Sequence, residues 1–122
     1  MFIEINVSSS QPIYEQLVEQ IKFAIASEAV RADEMIPSLR ELSKKLALNP
    51  NTVARAYRTL QDESIVCFRR GTGLAVAPDA KERCEEDRRK WFEARLQQLL
   101  DDATKSRLDP KEVKKIVENA FC

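Results

Sequence analysis

The sequence contains no histidine and only two glycines among its 122 residues. Without imidazole, Ser-His-Asp and Cys-His catalytic systems are excluded, and so are zinc sites that need histidine ligands. The three cysteines, Cys67, Cys84 and Cys122, are widely spaced and form no Cys-x-x-Cys pair. Neither a disulfide framework nor an all-cysteine metal site is therefore indicated. We expect no cofactor and a protein that is not an enzyme.

Long hydrophobic runs are also missing. No apolar run approaches the ~20 residues that a membrane-spanning helix needs. The first residues lack the basic and apolar regions of a signal peptide. We therefore expect a cytoplasmic protein with no membrane partner. A chain that is 43% hydrophobic and 33% charged suits one compact domain or a small domain with an appendage.

Charge of neither sign is in excess, because twenty basic residues balance twenty acidic ones. Residues 38–76, however, contain seven basic side chains against three acidic ones. The basic ones are Arg40, Lys44, Lys45, Arg55, Arg58, Arg69 and Arg70. A locally basic segment on a neutral protein indicates one specific anionic surface. The plain alternative for the three basic residues at 40–45 is an ordinary solvated helix face.

The N-terminal part of the chain predicts a short strand followed by a helix. Residues 2–7 alternate weakly between apolar and polar, which is typical of a strand. Apolar residues then recur every four positions, at Ile13, Leu17, Ile21 and Ile25. One face of a helix that ends near residue 27 should therefore be buried.

Two short helices follow, and capping residues mark where they begin. Ser38 and Glu41 have the spacing of a capping box. Asn49 and Pro50 suit the cap and the first position of the next helix. Only residues 47–50 separate the two helices, so the pair is typical of a helix-turn-helix.

A β-hairpin is predicted after the third helix. The β-prone residues 65–68 and 74–76 flank a tip that holds both glycines of the chain, Gly71 and Gly73. A helix-turn-helix followed by a hairpin with a basic tip is the winged helix-turn-helix arrangement, which is used mainly for DNA recognition.

The remaining residues predict two helices with a thin apolar seam. One covers residues 80–106, and Asp109 and Pro110 open the other. Such a pair is a poor core alone, so we expect it to pack on the first domain or on a second copy. The candidate dimerisation residues are Phe92, Leu96, Leu99, Ala103, Val113 and Val117. Trp91 and its neighbours are alternatively candidates for lining a small-molecule pocket.

Four motifs, in this order, resemble the GntR family of regulators and, within it, the YtrA-like subfamily. They are Pro-Ile-Tyr-Glu-Gln-Leu at 12–17, Pro-Ser-Leu-Arg-Glu-Leu at 37–42, Asn-Pro-Asn-Thr-Val-Ala-Arg-Ala-Tyr at 49–57 and Arg-Arg-Gly-Thr-Gly at 69–73. The resemblance implies a homodimeric repressor that binds an inverted-repeat operator, often near a transporter operon. It also implies a short C-terminal region of two helices that dimerise.

The resemblance also implies roles for individual residues. In the family, DNA is contacted by the positions that match Arg40, Asn51, Thr52, Arg55, Arg70 and Gly71. Asn49, Arg58 and Arg69 lie beside these positions on the third helix or the hairpin tip, and they complete the set of candidate DNA-binding residues.

The chain departs from the family pattern at five positions. Glycine is usual where this chain has Glu28, Asp33 and Ser64, so we expect altered turns there. A threonine and an aromatic residue are usual where it has Leu74 and Ala75, so the second strand of the hairpin should pack more loosely.

These patterns predict a mostly α-helical fold with a small β-hairpin. A winged helix-turn-helix DNA-binding domain should occupy residues 1–78, and a helical dimerisation region residues 79–122. We expect a sequence-specific transcriptional repressor whose partners are double-stranded DNA, a second copy and an unidentified small-molecule effector. The alternative is a winged-helix module that binds proteins and not DNA.

Overall fold

The computed structural model describes residues 1–121, so Cys122 lies outside the described residues. It contains five α-helices and one antiparallel hairpin, which confirms the predicted fold class. The elements are α1 Ile13–Ala26, α2 Leu39–Leu46, α3 Pro50–Asp62, β1 Val66–Arg69, β2 Gly73–Val76, α4 Ala80–Lys105 and α5 Pro110–Ala120. The chain divides into a first compact unit, Met1–Arg88, and a second unit that begins at Arg89. The first unit therefore extends beyond residue 78 and includes the first turns of α4.

The predicted caps define where α2 and α3 begin. The Ser38 hydroxyl accepts a hydrogen bond from the Glu41 amide at 3.1 Å, and the Glu41 carboxylate accepts one from the Ser38 amide. The Asn49 side chain accepts from the Asn51 amide at 2.9 Å, with Pro50 in the first turn. These bonds satisfy amides that have no partner within the helix. The capping box and the asparagine cap are confirmed.

The core of the first unit lies between α1, α3, the hairpin and the start of α4. Leu17, Ile21, Val53 and Leu60 are fully buried. Cys84 is also fully buried, one turn into α4. In the hairpin, Val66 pairs with Val76 and Arg69 with Gly73, which places the basic tip at the end away from the core. Burial of these side chains is what holds α3 against α1.

The connector between α1 and α2 runs along the hairpin as a partial third strand. Met35 forms a bridge with Ala75, and the amide of Ile36 donates to the carbonyl of Leu74 at 2.9 Å. The amide of Asp33 donates to the carbonyl of Val76 at 2.9 Å. Backbone bonds thus fix the connector on β2. No local periodicity of residues 31–36 indicates this pairing.

The strand predicted for residues 2–7 is absent from the described structure, so that prediction is wrong. Ile3 is buried, but the backbone of this segment bonds to side chains of α1. The Gln16 amide group bonds to both the N–H and the carbonyl of Asn6, and the Gln20 amide group bonds in the same way to Glu4. Two glutamines one turn apart therefore replace a neighbouring strand. The alternating pattern of residues 2–7 therefore corresponds to an extended backbone that is not paired in a sheet.

Ionic contacts fasten the first turns of α4 to the end of α3. The Lys22 ammonium on α1 lies 2.7 Å from a Glu63 oxygen and 3.0 Å from an Asp87 oxygen. Burial lowers the pKa of Lys22, but the hydrogen bonds and charges of these two carboxylates outweigh it, and the pKa is raised overall. The Arg83 guanidinium donates to the carbonyls of Glu63 and Ser64. It thereby satisfies carbonyls at and just beyond the C-cap of α3.

The second unit consists of the rest of α4, a tight turn and α5. The amide of Leu108 donates to the carbonyl of Ala103 at 3.0 Å, and the Asp109 side chain caps α5 through the Lys111 amide. Most large apolar residues of this unit are exposed, and Phe92, Leu99 and Ile116 are more than half exposed. As a single copy, the unit therefore has almost no buried core.

Within residues 1–121, no helix is both long and apolar enough to cross a bilayer. The same residues contain no cluster of three or more histidine, cysteine or acidic side chains placed to hold a metal ion.

Candidate nucleic-acid interface

The exposed face of α3 carries three of the predicted DNA-binding residues. Asn51, Arg55 and Arg58 follow one another at spacings of four and three residues, so they form one stripe along the helix. All three are exposed, whereas Val53 and Tyr57 on the opposite side are buried. Packing of the apolar side into the core therefore turns this stripe toward solvent.

The N-terminal turn of α3 adds Asn49 and Thr52 to the same end of the helix. Asn49 is exposed and Thr52 is half-buried. The Thr52 amide donates to the Asn49 carbonyl at 3.0 Å. The helix dipole makes this end favourable for an anion. The cap role of Asn49 leaves its second lone pair and its amide hydrogens available for an outside partner.

Three of the candidate arginines have no carboxylate partner within the described residues. Arg40 on α2, Arg58 on α3 and Arg70 at the hairpin tip are exposed, and their side chains make no ion pair or hydrogen bond within residues 1–121. A guanidinium left unpaired in this way is available to a phosphate or a guanine edge. Among the ion pairs of residues 1–121, neither Asp62 nor Glu63 pairs with Arg58, and Glu63 is engaged by Lys22.

Arg55 is held from one side by an aromatic ring. Its guanidinium carbon lies 3.8 Å from the centroid of the Tyr14 ring on α1. A cation–π contact restricts the rotamers of the arginine without consuming its hydrogen-bond donors. Tyr14 therefore orients Arg55 on the exposed face of α3.

The hairpin tip is shaped by its two glycines and by one ion pair. Gly71 has φ +82°, and a Cβ atom placed on it would meet no atom within 4 Å, so the space outside the tip is open. Arg69 pairs with Asp33 of the connector. Arg69 is therefore partly neutralised, whereas Arg70 has no such partner in the part of the chain that the structure describes.

Sequence reasoning missed Tyr14 and Asp33. Each contacts an arginine far away in the sequence, so no local motif around residue 14 or residue 33 indicates the contact. Asp33 was noted only because glycine is usual at that position. Its φ of +67° confirms that the position needs a left-handed backbone.

Tyr57 belongs to the core of the first unit. The side chain is buried, and its hydroxyl donates to the Pro37 carbonyl at 2.7 Å. Burial, with the nearby charge of Glu41, raises the pKa of the phenol well above its usual value. Tyr57 therefore fixes α3 against the segment that leads into α2.

Comparison with known proteins agrees with this geometry. The family model described as bacterial regulatory proteins, gntR family, matches residues 13–76, which is more than half of the chain. The HTH-type transcriptional repressor YtrA of Bacillus subtilis is 37% identical over 101 residues, covering 83% of this chain and 78% of that protein.

Two solved structures extend the likeness. A transcriptional regulator from Oenococcus oeni matches with a TM-score of 0.75 at 28% identity, covering 99% of this chain and 100% of that chain. A GntR family transcriptional regulator from Listeria monocytogenes matches with a TM-score of 0.75 at 30% identity, covering 91% of this chain and 96% of that chain.

The resemblance inferred from the four motifs is thus confirmed, and with it the prediction of a regulator that is not an enzyme. The chain belongs to the GntR family of bacterial transcriptional regulators, with the DNA-binding helix-turn-helix domain of that family.

Proposed function

We propose that this chain is a homodimeric repressor that binds an inverted-repeat operator in the cytoplasm and blocks transcription sterically. One observation carries the DNA-binding part of the proposal. Exposed arginines without acidic partners lie on three elements of the first unit, α2, α3 and the hairpin tip. In a protein whose total charge is zero, this arrangement concentrates positive charge where a winged helix-turn-helix meets DNA.

The nine candidate residues divide into groups by the contact that each would make. The N-terminal half of α3, with Asn51, Thr52 and Arg55, would read base edges in the major groove. Asn49, Arg58 and Arg40 would hold phosphates and fix the register. The tip, with Arg70 and Gly71, would enter the minor groove, where Arg69 would contribute if its pair with Asp33 opens.

The second unit supports the dimer part of the proposal. Phe92, Leu96, Leu99 and Val117 are between 42% and 65% exposed, while Ala103 and Val113 are half-buried at the turn. Leu100 and Ile116 add to this apolar surface. Exposed apolar side chains on two adjoining helices are stabilised when a second copy covers them. We infer that the dimerisation region lies in residues 79–122 and uses these residues.

A twofold dimer implies the form of the DNA site. Two recognition helices presented by a symmetric pair contact half-sites about one helical turn apart, ~34 Å, so the site is an inverted repeat. The repressor YtrA, to which this chain is similar, supports repression as the outcome. By the family resemblance, the regulated genes form a transporter operon near the site, and a small molecule modulates binding.

Selection of bound sequences from random duplex DNA by the full chain tests the proposal. We expect an enriched inverted repeat whose affinity falls steeply with salt, because several phosphate contacts release counterions. Enrichment of no sequence at low ionic strength would overturn the proposal. Binding of protein partners with little salt dependence would favour the protein-interaction module instead.

The dimer is tested by placing a charge on the apolar surface. Leu99→Glu should convert a dimer to a monomer in sedimentation and weaken operator binding by tenfold or more, because a buried unpaired carboxylate is costly at an interface. Ala94→Glu adds the same charge to the exposed face of α4 that lies opposite the apolar stripe, and it serves as the matched control. A dimer that survives Leu99→Glu unchanged would contradict the assignment of this surface.

A further inference from the structure

A pocket of about 410 Å³ lies between α3, the segment that leads into α2, and the hairpin. Its walls are largely apolar and include Leu39, Ala54, Phe68 and Leu74. This volume lies in the range of small-molecule sites, which combine apolar walls with a few polar groups. All of its lining belongs to the first unit.

The polar groups at the pocket favour an anion. Arg58 and Gln61 lie one turn apart on α3, and both line the pocket. Neither side chain makes a hydrogen bond or an ion pair within the described part of the chain. The lining contains no carboxylate. One guanidinium and one amide therefore offer donors from which no residue among 1–121 accepts a hydrogen bond.

We propose that this pocket binds a small organic anion with an apolar body, such as an aryl or branched alkyl carboxylate, and that the bound anion competes with DNA. The carboxylate would pair with Arg58 and accept from Gln61, while the apolar body would cover Phe68 and Leu74.

Competition with DNA follows from the position of the pocket and rests on the proposed function. Arg58 is a candidate phosphate contact, and the pocket lies between α3, which is the proposed recognition helix, and the hairpin. A carboxylate paired with Arg58 removes one cation from the DNA surface, and the ligand occupies space between two elements that would approach the duplex. Ligand and DNA would then each lower the affinity of the other by the same factor.

The test uses the full chain with 2-naphthoate as the probe, measured by titration calorimetry without DNA and by operator binding in its presence. We expect saturable binding, and we expect the operator affinity to fall at least about fivefold at saturating probe. Two control compounds test the anionic group and the apolar body of the ligand one at a time. The uncharged 2-naphthamide lacks the anion, acetate lacks the apolar body, and neither should act.

Two variants locate the site. Leu74→Trp fills the pocket and should abolish probe binding. Gln61→Glu, on the exposed surface of α3, places a carboxylate at the pocket and should weaken probe binding at least tenfold. This exposed substitution keeps the test valid if Leu74→Trp folds poorly. Gln98→Glu adds the same charge in the second unit and should leave probe binding unchanged.

Absence of naphthoate binding, or binding that both pocket variants leave intact, would overturn the proposal while DNA binding stands. Binding of the probe with no effect on operator affinity would overturn the competition. Failure of DNA binding with intact probe binding would instead count against the proposed function alone.

Discussion

The guanidinium of Arg55 lies over the ring of Tyr14, 3.8 Å from its centroid, and this contact joins the recognition helix α3 to α1. The tyrosine faces the arginine from one side only, so the hydrogen-bond donors of the guanidinium remain free to point outward. The contact already restricts the rotamers of Arg55 in the free protein. Fewer rotamers are therefore lost on binding DNA, which lowers the entropic cost of the complex.

Substitutions of Arg55 and Tyr14 should distinguish the direct contact of Arg55 with DNA from the orientation of Arg55 by Tyr14. Arg55→Ala should weaken operator binding by ~1–3 kcal/mol with little change in the unfolding temperature. Tyr14→Leu keeps the apolar packing and removes the π-face, so we expect a smaller loss, about threefold to tenfold in Kd. Fluorescence anisotropy with labelled operator gives both values. Equal affinity of Arg55→Ala and the parent chain would remove Arg55 from the interface.

The two glycines of the hairpin tip should respond differently to substitution. Gly71 faces open space, so Gly71→Glu should cost at most ~1–2 kcal/mol of stability while reducing DNA affinity by tenfold or more. Gly73 has φ +114°, and an added Cβ would lie 3.3 Å from the terminal methyl of Met35. Gly73→Ala should therefore destabilise the fold by ~1–3 kcal/mol. Chemical denaturation and anisotropy distinguish the two effects. Parallel losses of folding and binding at Gly71 would make its role structural.

Positions where this chain replaces the family's glycine store strain. Glu28 and Ser64 have φ of +62° and +59°, in the left-handed region that disfavours residues with a Cβ. Ser64→Gly should raise the free energy of unfolding by about 0.5–1 kcal/mol and the Tm by a few degrees. Ser27→Gly is the control for a site without strain, because Ser27 has φ −89°; glycine brings no relief there and removes the hydroxyl's bond to the Ala24 carbonyl, so this variant should not be stabilised. A Ser64→Gly chain less stable than its parent would contradict the argument.

The two described cysteines should differ in reactivity. Cys67 is exposed on β1, whereas Cys84 is buried on α4, and burial raises the pKa of the Cys84 thiol to about 11. Because the thiolate is the nucleophile, iodoacetamide at pH 8 should label Cys67 rapidly and leave Cys84 unmodified in the folded protein. Peptide mass spectrometry after a timed quench measures both sites. Labelling in denaturant provides the control in which both react. Equal labelling rates in the folded chain would contradict the burial of Cys84.

Local sequence patterns were sufficient to predict where three of the five helices begin. Ser38, Asn49 and Asp109 accept hydrogen bonds from amides in the first turn of their helices, because capping depends on residues only two or three positions apart. The hairpin followed in the same way from β-prone residues around Gly71 and Gly73. These features are short-range, so one sequence is enough to predict them.

Contacts between distant segments were the ones that sequence reasoning missed. Residues 2–7 were predicted as a strand because the alternation is real, but the bonding partners turned out to be Gln16 and Gln20. The pairs Arg55 with Tyr14 and Arg69 with Asp33 join elements whose approach depends on the packed core. The exposed face of α3 was predictable, because its apolar positions required the polar stripe to face outward. The orientation of each arginine on that face was not.

The contacts of Lys22 and Arg83 have a further consequence for how the molecule opens. The last carbonyls around Glu63 are held by Arg83, and the Glu63 carboxylate shares Lys22 with Asp87. The end of α3 cannot fray without releasing the first turns of α4. In native-state hydrogen exchange, the amides of these two segments should therefore open as a single cooperative unit with one protection free energy.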